Sequence, residues 1–181
     1  MKLYLRGIAA TLVMLAASVA NATLIDFEEL SYGQTVAYDT YQSQGLLLDS
    51  SINWGVYNES SQPKSLINNT NWAGDLMGSF TSTVSDLSIK MGDWCCDYDT
   101  GRLEVYDTFG SLLATDSGSG SSWFTVSVNT ADIASFRVFA TGNVIYDEIS
   151  FTAAAVPEPA TLALFGIGLL GLAANRRKKT A

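Results

Sequence analysis

Between residues 23 and 152 the chain runs in short stretches of β-branched and aromatic residues, each set off from the next by clusters of Gly, Ser, Asn and Asp. That punctuation predicts strands and turns. Several stretches alternate with period two. Phe124, Val126 and Val128 fall on one face and Trp123, Thr125 and Ser127 on the other, and Phe136, Val138 and Ala140 alternate against Arg137, Phe139 and Thr141. The pattern predicts strands over Leu24–Glu28, Gly45–Asp49, Ile52–Val56, Leu76–Thr81, Val84–Met91, Arg102–Asp107, Leu112–Thr115, Trp123–Val128, Ser135–Ala140 and Val144–Phe151, with a tight hairpin turn at Thr108-Phe109-Gly110-Ser111. No stretch between the termini keeps a helical period. A single open sheet of this many apolar strands would leave one greasy face in water, so two packed sheets are expected: an all-β, jelly-roll-like β-sandwich.

The two ends follow a different pattern. Residues 1–22 carry Lys2 and Arg6, an apolar run from Gly7 to Ala17, and then Ala20-Asn21-Ala22, small residues where a signal peptidase reads. The run is shorter than the roughly 20 residues that span a bilayer. We therefore expect a cleaved signal helix and a mature chain beginning at Thr23. Ala160 to Ala174 is a second uninterrupted apolar stretch, closed by Arg176-Arg177-Lys178-Lys179. It lacks the polar face of a core helix and is expected to be a transmembrane helix. The basic cluster holds its own end in the cytoplasm and leaves everything before Ala160 outside the inner membrane. Three regions result: a signal peptide at 1–22, an ectodomain at 23–155 and a tail at 156–181.

Immediately before the second apolar run stands Pro157-Glu158-Pro159. Two prolines around one glutamate keep the backbone extended and out of both ladder and helix, which leaves an accessible strip at the membrane face. This tripeptide, the apolar helix and the terminal basic cluster, in that order, resemble the PEP-CTERM sorting signal. The resemblance covers about the last 25 residues and leaves the ectodomain fold open. It implies recognition by an exosortase, transient anchoring in the inner membrane with the ectodomain in the periplasm, cleavage near Pro157, and delivery to the cell surface or extracellular matrix.

Charge narrows the functional classes. The whole chain has a formal net charge of −8, but between Thr23 and Val156 there are 17 acidic residues against Lys64, Lys90, Arg102 and Arg137, a net of −13. Such a domain repels nucleic acid and attracts divalent cations. Histidine is absent. That removes the usual zinc ligand and the base of serine-histidine and cysteine-histidine hydrolases.

Ile25-Asp26-Phe27-Glu28-Glu29 near the start and Ile145-Tyr146-Asp147-Glu148-Ile149-Ser150-Phe151 at the close resemble the first and last strands of jelly-roll carbohydrate-binding modules. In such modules these strands lie side by side and an acidic residue from each holds a structural calcium ion. The resemblance implies Glu28 and Asp147 as Ca2+ ligands, with Asp26 and Glu148 as alternates. Calcium needs six to eight oxygens, so backbone carbonyls and water would complete the shell. Asp93, Asp97 and Asp99 form a second acidic group whose Asp-x-Asp spacing could ligate a cation, but it lacks the glycine and final glutamate of an EF-hand loop, and solvated loop carboxylates explain it better than a cation does.

Cys95 and Cys96 are the only cysteines. Export places them in an oxidising compartment, yet adjacent Cα atoms are about 3.8 Å apart, below the roughly 4.4–6.8 Å of ordinary disulfides. A strained vicinal bridge and two free thiols both fit. Trp54, Tyr57, Trp72, Trp94, Tyr98 and Trp123 flank polar loops, where a ring either holds a sugar face or fills the core. Trp72, within Asn68-Asn69-Thr70-Asn71-Trp72, is the candidate ligand-binding ring. No motif selects a catalytic pair among the many carboxylates. The expected function is therefore non-catalytic: binding or organising exopolysaccharide in a biofilm matrix. A glycan-active hydrolase and a protein-contacting adhesion or coat subunit are the alternatives.

Overall fold

The computed structural model describes residues 21–58, 62–69, 74–93 and 97–153. Residues 1–20 of the predicted signal peptide and the whole predicted transmembrane segment lie outside them. The described residues form eleven strands: β1 (Ala22–Ile25), β2 (Thr35–Val36), β3 (Leu46–Leu48), β4 (Trp54–Tyr57), β5 (Ser65–Asn68), β6 (Leu76–Gly92), β7 (Asp99–Tyr106), β8 (Leu112–Gly120), β9 (Phe124–Ser127), β10 (Ile133–Thr141) and β11 (Ile145–Ala153). A 3-10 turn at Gln42–Gln44 is the only helical element among them. None of it is long and apolar enough to cross a membrane. The fold is all-β, as the alternation requires.

β6 belongs to two layers at once. Its first part, Leu76–Phe80, pairs with β3 on one side and β10 on the other, while Val84–Gly92 pairs with β9 and β11. One layer therefore runs β8-β7-β10-β6-β3. The other runs β2-β4-β5-β11-β6-β9, with β1 laid along β11. Every pairing is antiparallel. Leu103 and Val105 of β7, Phe136 and Val138 of β10, and Leu87, Ile89 and Met91 of β6 join Ile149 and Phe151 of β11 in one continuous core. Rings meet across it: Phe80 lies 4.8 Å from Phe151, centroid to centroid.

Four details differ from the sequence reading, each for a physical reason. β1 ends at Ile25 rather than Glu28 because Phe27 adopts φ 59°, a left-handed conformation that breaks the ladder while burying its ring edge-on against Tyr41. The segments expected at 76–81 and 84–91 are one strand. β2 and β5 were not expected, being only two and four residues long, too short to show a period. β8 continues through Asp116-Ser117-Gly118-Ser119-Gly120, a composition that reads as loop. Here small residues are a packing requirement, since a Cβ at Gly118 would stand 2.9 Å from the Phe124 ring in the facing layer. The β7–β8 turn forms as expected, with the Asp107 carboxylate accepting from the Phe109 and Ser111 N–H groups at 2.8 Å each.

Phe151 is fully buried where the layers meet. Phe151→Ala is expected to destabilise the domain by about 3–5 kcal/mol, read as a shifted urea midpoint with an unchanged slope. A loss below about 1 kcal/mol would contradict this packing.

Candidate functional site

The outer face of the layer β8-β7-β10-β6-β3 carries two adjoining depressions of about 420 Å3 each. One is floored by β8, β7 and β10, around Arg102, Ser117, Ser119, Phe139 and Thr141. The other lies over β3, β6 and β10, around Asp49, Ser79, Tyr106, Ser135 and Arg137. Period-two geometry puts these side chains outside, because their neighbours Leu103, Val105, Phe136 and Val138 point into the core.

Phe139 stands at the centre. Its cross-strand partner is Arg102, whose guanidinium carbon lies 4.6 Å from the ring centroid, and Arg137, two residues earlier on β10, approaches to 4.1 Å. Stacked guanidinium and ring attract through the ring quadrupole. Each arginine is also held by a carboxylate: Arg102 Nη1 lies 2.9 Å from Glu104, and Arg137 donates through Nη2 at 2.5 Å and Nε at 3.0 Å to Asp75. Tyr106 donates to Glu104, which pushes its hydroxyl above the usual phenol range. Thr100 and Thr141 share a hydrogen bond, and Tyr98 Oη lies 3.0 Å from Ser119 Oγ. The result is a shallow, hydroxyl-lined face around a clamped aromatic. Of these residues the sequence singled out only Tyr98, among the rings flanking polar loops, although an aromatic between Arg137 and Thr141 on the polar side of an alternating strand was a visible signal.

The residues nominated for calcium lie elsewhere. A bulge in β11 between Tyr146 and Glu148 buries Asp147 and turns its carboxylate onto Lys90, at 2.6 Å, with Glu148 on the same ammonium at 3.1 Å. Burial pushes Asp147 above the usual carboxylate range against the pull of Lys90, and the charge of Glu28 adds to the rise. Lys90 in turn is raised above the usual amine range, chiefly by its bond to Asp147, and sits 5.5 Å from the centroid of the Trp123 ring. Glu28 accepts from the Lys64 N–H at 2.9 Å, its carbonyl accepts from the Lys64 ammonium, and Asp26 accepts from the Glu28 N–H at 3.3 Å. The cation facing Asp147 is thus a lysine of the chain itself. Among the described residues no group of three or more acidic or cysteine side chains is set as a metal cluster.

Ala22 and Thr23 begin β1, opposite Thr152 and Phe151. Trp54 is buried, its Nε1 donating to the Asp49 carbonyl at 3.1 Å, so it is a core ring. Ala20, Trp72, Trp94, Cys95, Cys96, Pro157, Glu158, Pro159 and the Arg176–Lys179 cluster lie outside the described residues.

Residues 155–178 match the PEP-CTERM protein-sorting motif. The chain therefore carries the mark of an exported, membrane-transiting protein. No curated protein matches it in sequence. Among solved structures it is similar to a family 6 carbohydrate-binding module, at 14% identity over 73% of this chain and 94% of the other, TM-score 0.38. It is also similar to the CBM6cm-2 module of Cellvibrio mixtus lichenase 5A, solved with cellotriose (14% identity, 68% and 99% coverage, TM-score 0.35). A third is the CBM22-1 xylan-binding domain of Paenibacillus barcinonensis Xyn10C (13% identity, 70% and 99% coverage, TM-score 0.34). These likenesses concern the fold alone.

One further carboxylate is unusual. Asp99 is fully buried, and neither of its oxygens has a hydrogen-bond partner. Burial, reinforced by Asp93 and Asp97, pushes it from 3.8 up to about 6. A carboxyl group with a raised folded pKa holds its proton longer in the folded chain. Its contribution to stability is therefore full below about pH 4, is lost as pH rises through about 6, and is flat above. In the presence of chelator, Asp99→Asn is expected to gain roughly 2–3 kcal/mol over the parent at pH 8, with the gap closing towards pH 4, in urea unfolding at both pH values. Equal stabilities at pH 8 would refute the assignment.

Proposed function

We propose that this chain is an exosortase-processed, non-catalytic surface or matrix protein, whose jelly-roll-type domain binds exopolysaccharide along the outer face of β8-β7-β10-β6-β3. The Arg102–Phe139–Arg137 stack is the observation that carries this reading. Guanidinium forks donate paired hydrogen bonds to neighbouring hydroxyls, and the edge of the clamped ring offers an apolar contact for sugar C–H groups. Ser117, Ser119, Thr100, Thr141 and Ser135 extend the same chemistry along the sheet. Two shallow depressions side by side suit a polymer passing over the surface rather than an enclosed small molecule. The acidic excess of the domain favours neutral over strongly anionic glycans.

Glycoside hydrolysis needs one carboxyl group free to donate a proton and a second as base or nucleophile. Glu104 and Asp75, the carboxylates beside Phe139, are both engaged by arginines, which supports binding without turnover. The hydrolase alternative predicts product release that a single carboxylate substitution abolishes.

The fragment 23–155 is expected to bind the host exopolysaccharide or a neutral glycan on a panel saturably. Arg102→Ala and Phe139→Ala should each weaken that binding about tenfold or more while leaving the unfolding midpoint within a few degrees. Unchanged affinity in both variants would move the site off this face. Separately, in a host with an active exosortase, intact-mass analysis of the mature protein should find the Arg176–Lys179 tail removed. Its retention would sink the processing claim.

A further inference from the structure

Only two carboxylates among the described residues are buried, Asp99 and Asp147. They are treated in opposite ways. Asp147 has its own cation, the Lys90 ammonium 2.6 Å away, whereas Asp99 has neither a cation nor a hydrogen-bond donor on either oxygen. Leaving a buried charge unmatched is strongly unfavourable, and proteins ordinarily relieve it with a counter-ion, a donor or a proton.

Asp99 opens β7 on the inward-facing parity of Gly101, Leu103 and Val105, so its carboxylate points into the end of the sandwich. Gly142 leaves room for it there. A Cβ at that glycine, which holds φ +100°, would overlap the Asp99 carboxylate. The chain thus keeps a left-handed glycine over an orphaned carboxylate, a cradle that any side chain would fill. Two more carboxylates, Asp93 just after β6 and Asp97 two residues before Asp99, are near enough for their charges to act on it. Two buried Asp99 oxygens without a donor, with further negative charge nearby, are the opposite of what would stabilise an empty pocket. They are what a hard cation requires.

We propose that Asp99, together with Asp93 and Asp97, forms a calcium-binding site at this end of the sandwich. Three carboxylates supply up to six of the six to eight oxygens that calcium takes, and water completes the shell. Among the described residues no three acidic side chains are already set as a cluster, so the shell would be completed only as the ion brings Asp93 and Asp97 onto Asp99. Calcium tolerates this irregular, adjustable geometry, whereas magnesium demands a near-ideal octahedron and dehydrates reluctantly.

The test uses the full-length chain in mild detergent, stripped with chelator and titrated with calcium chloride at pH 7.5 while thermal unfolding is followed. A saturable rise of about 5 °C or more by 10 mM calcium is expected, consistent with the sub-millimolar to millimolar affinities of extracellular sites. Asp99→Asn, which should fold well because it removes a buried charge, loses that rise. Asp147→Asn keeps it. Terbium luminescence sensitised by nearby aromatic side chains should follow the same order among the three proteins. The proposal is overturned if calcium gives no rise, if sodium chloride at equal ionic strength gives the same rise, if Asp99→Asn retains it, or if Asp147→Asn abolishes it.

Discussion

Strand β6 is hydrogen-bonded to four others and is shared by both layers. That constraint organises the molecule. A strand that passes from one sheet into the other fixes the register of β10 and β3 at one end and of β11 and β9 at the other. The two apolar faces are thereby brought together without a separate connection between sheets. The inward parity of each paired strand follows from β6, because a shift of one residue would turn a whole strand over. Phe139 faces outward for the same reason that Phe136 and Val138 face in.

The electrostatic arrangement follows from that geometry. The domain has four basic residues, of which three are committed to acidic side chains, Lys90 to Asp147 and Glu148, Arg137 to Asp75 and Arg102 to Glu104, while the Lys64 ammonium bonds the backbone carbonyl of Glu28. The acids without a basic partner need backbone donors, as Asp107 and Asp116 have, or water. Exposed carboxylates on loops meet this with water at little penalty. Asp99 cannot, because its oxygens are sealed from solvent. The outer face of β8-β7-β10-β6-β3 is the exception in a strongly acidic domain, since Arg102 and Arg137 pair with Glu104 and Asp75 there and present donor-rich chemistry.

How much of this was legible in the sequence depends on whether the information was local. The hairpin at Asp107–Ser111, the inward sets of β9 and β10 and the sorting motif at the C-terminal end could all be read directly, because each is written within a few consecutive residues. β5 could not. Its four residues become a strand only because β4 and β11 offer partners on either side. The Gly-Ser half of β8 reads as loop on composition, and only the Phe124 ring across the core explains why those residues are small. At Phe27 a single left-handed residue ends a strand that alternation would have continued.

The sequence by itself determined the all-β class, the acidic character, the exclusion of histidine chemistry and the sorting motif, since all of these follow from composition, period or short contiguous patterns. Tertiary structure alone decided which charges meet. Glu28 and Asp147 could be nominated as partners of a cation, but Lys90 on β6 faces Asp147 through a bulge that no local pattern announces. Arg102 and Arg137 come from strands 35 residues apart in the chain and meet on one ring through the β7–β10 register. Long-range pairing sets the neighbours of a side chain in a sandwich, and with them its charge state, its solvent access and the chemistry open to it.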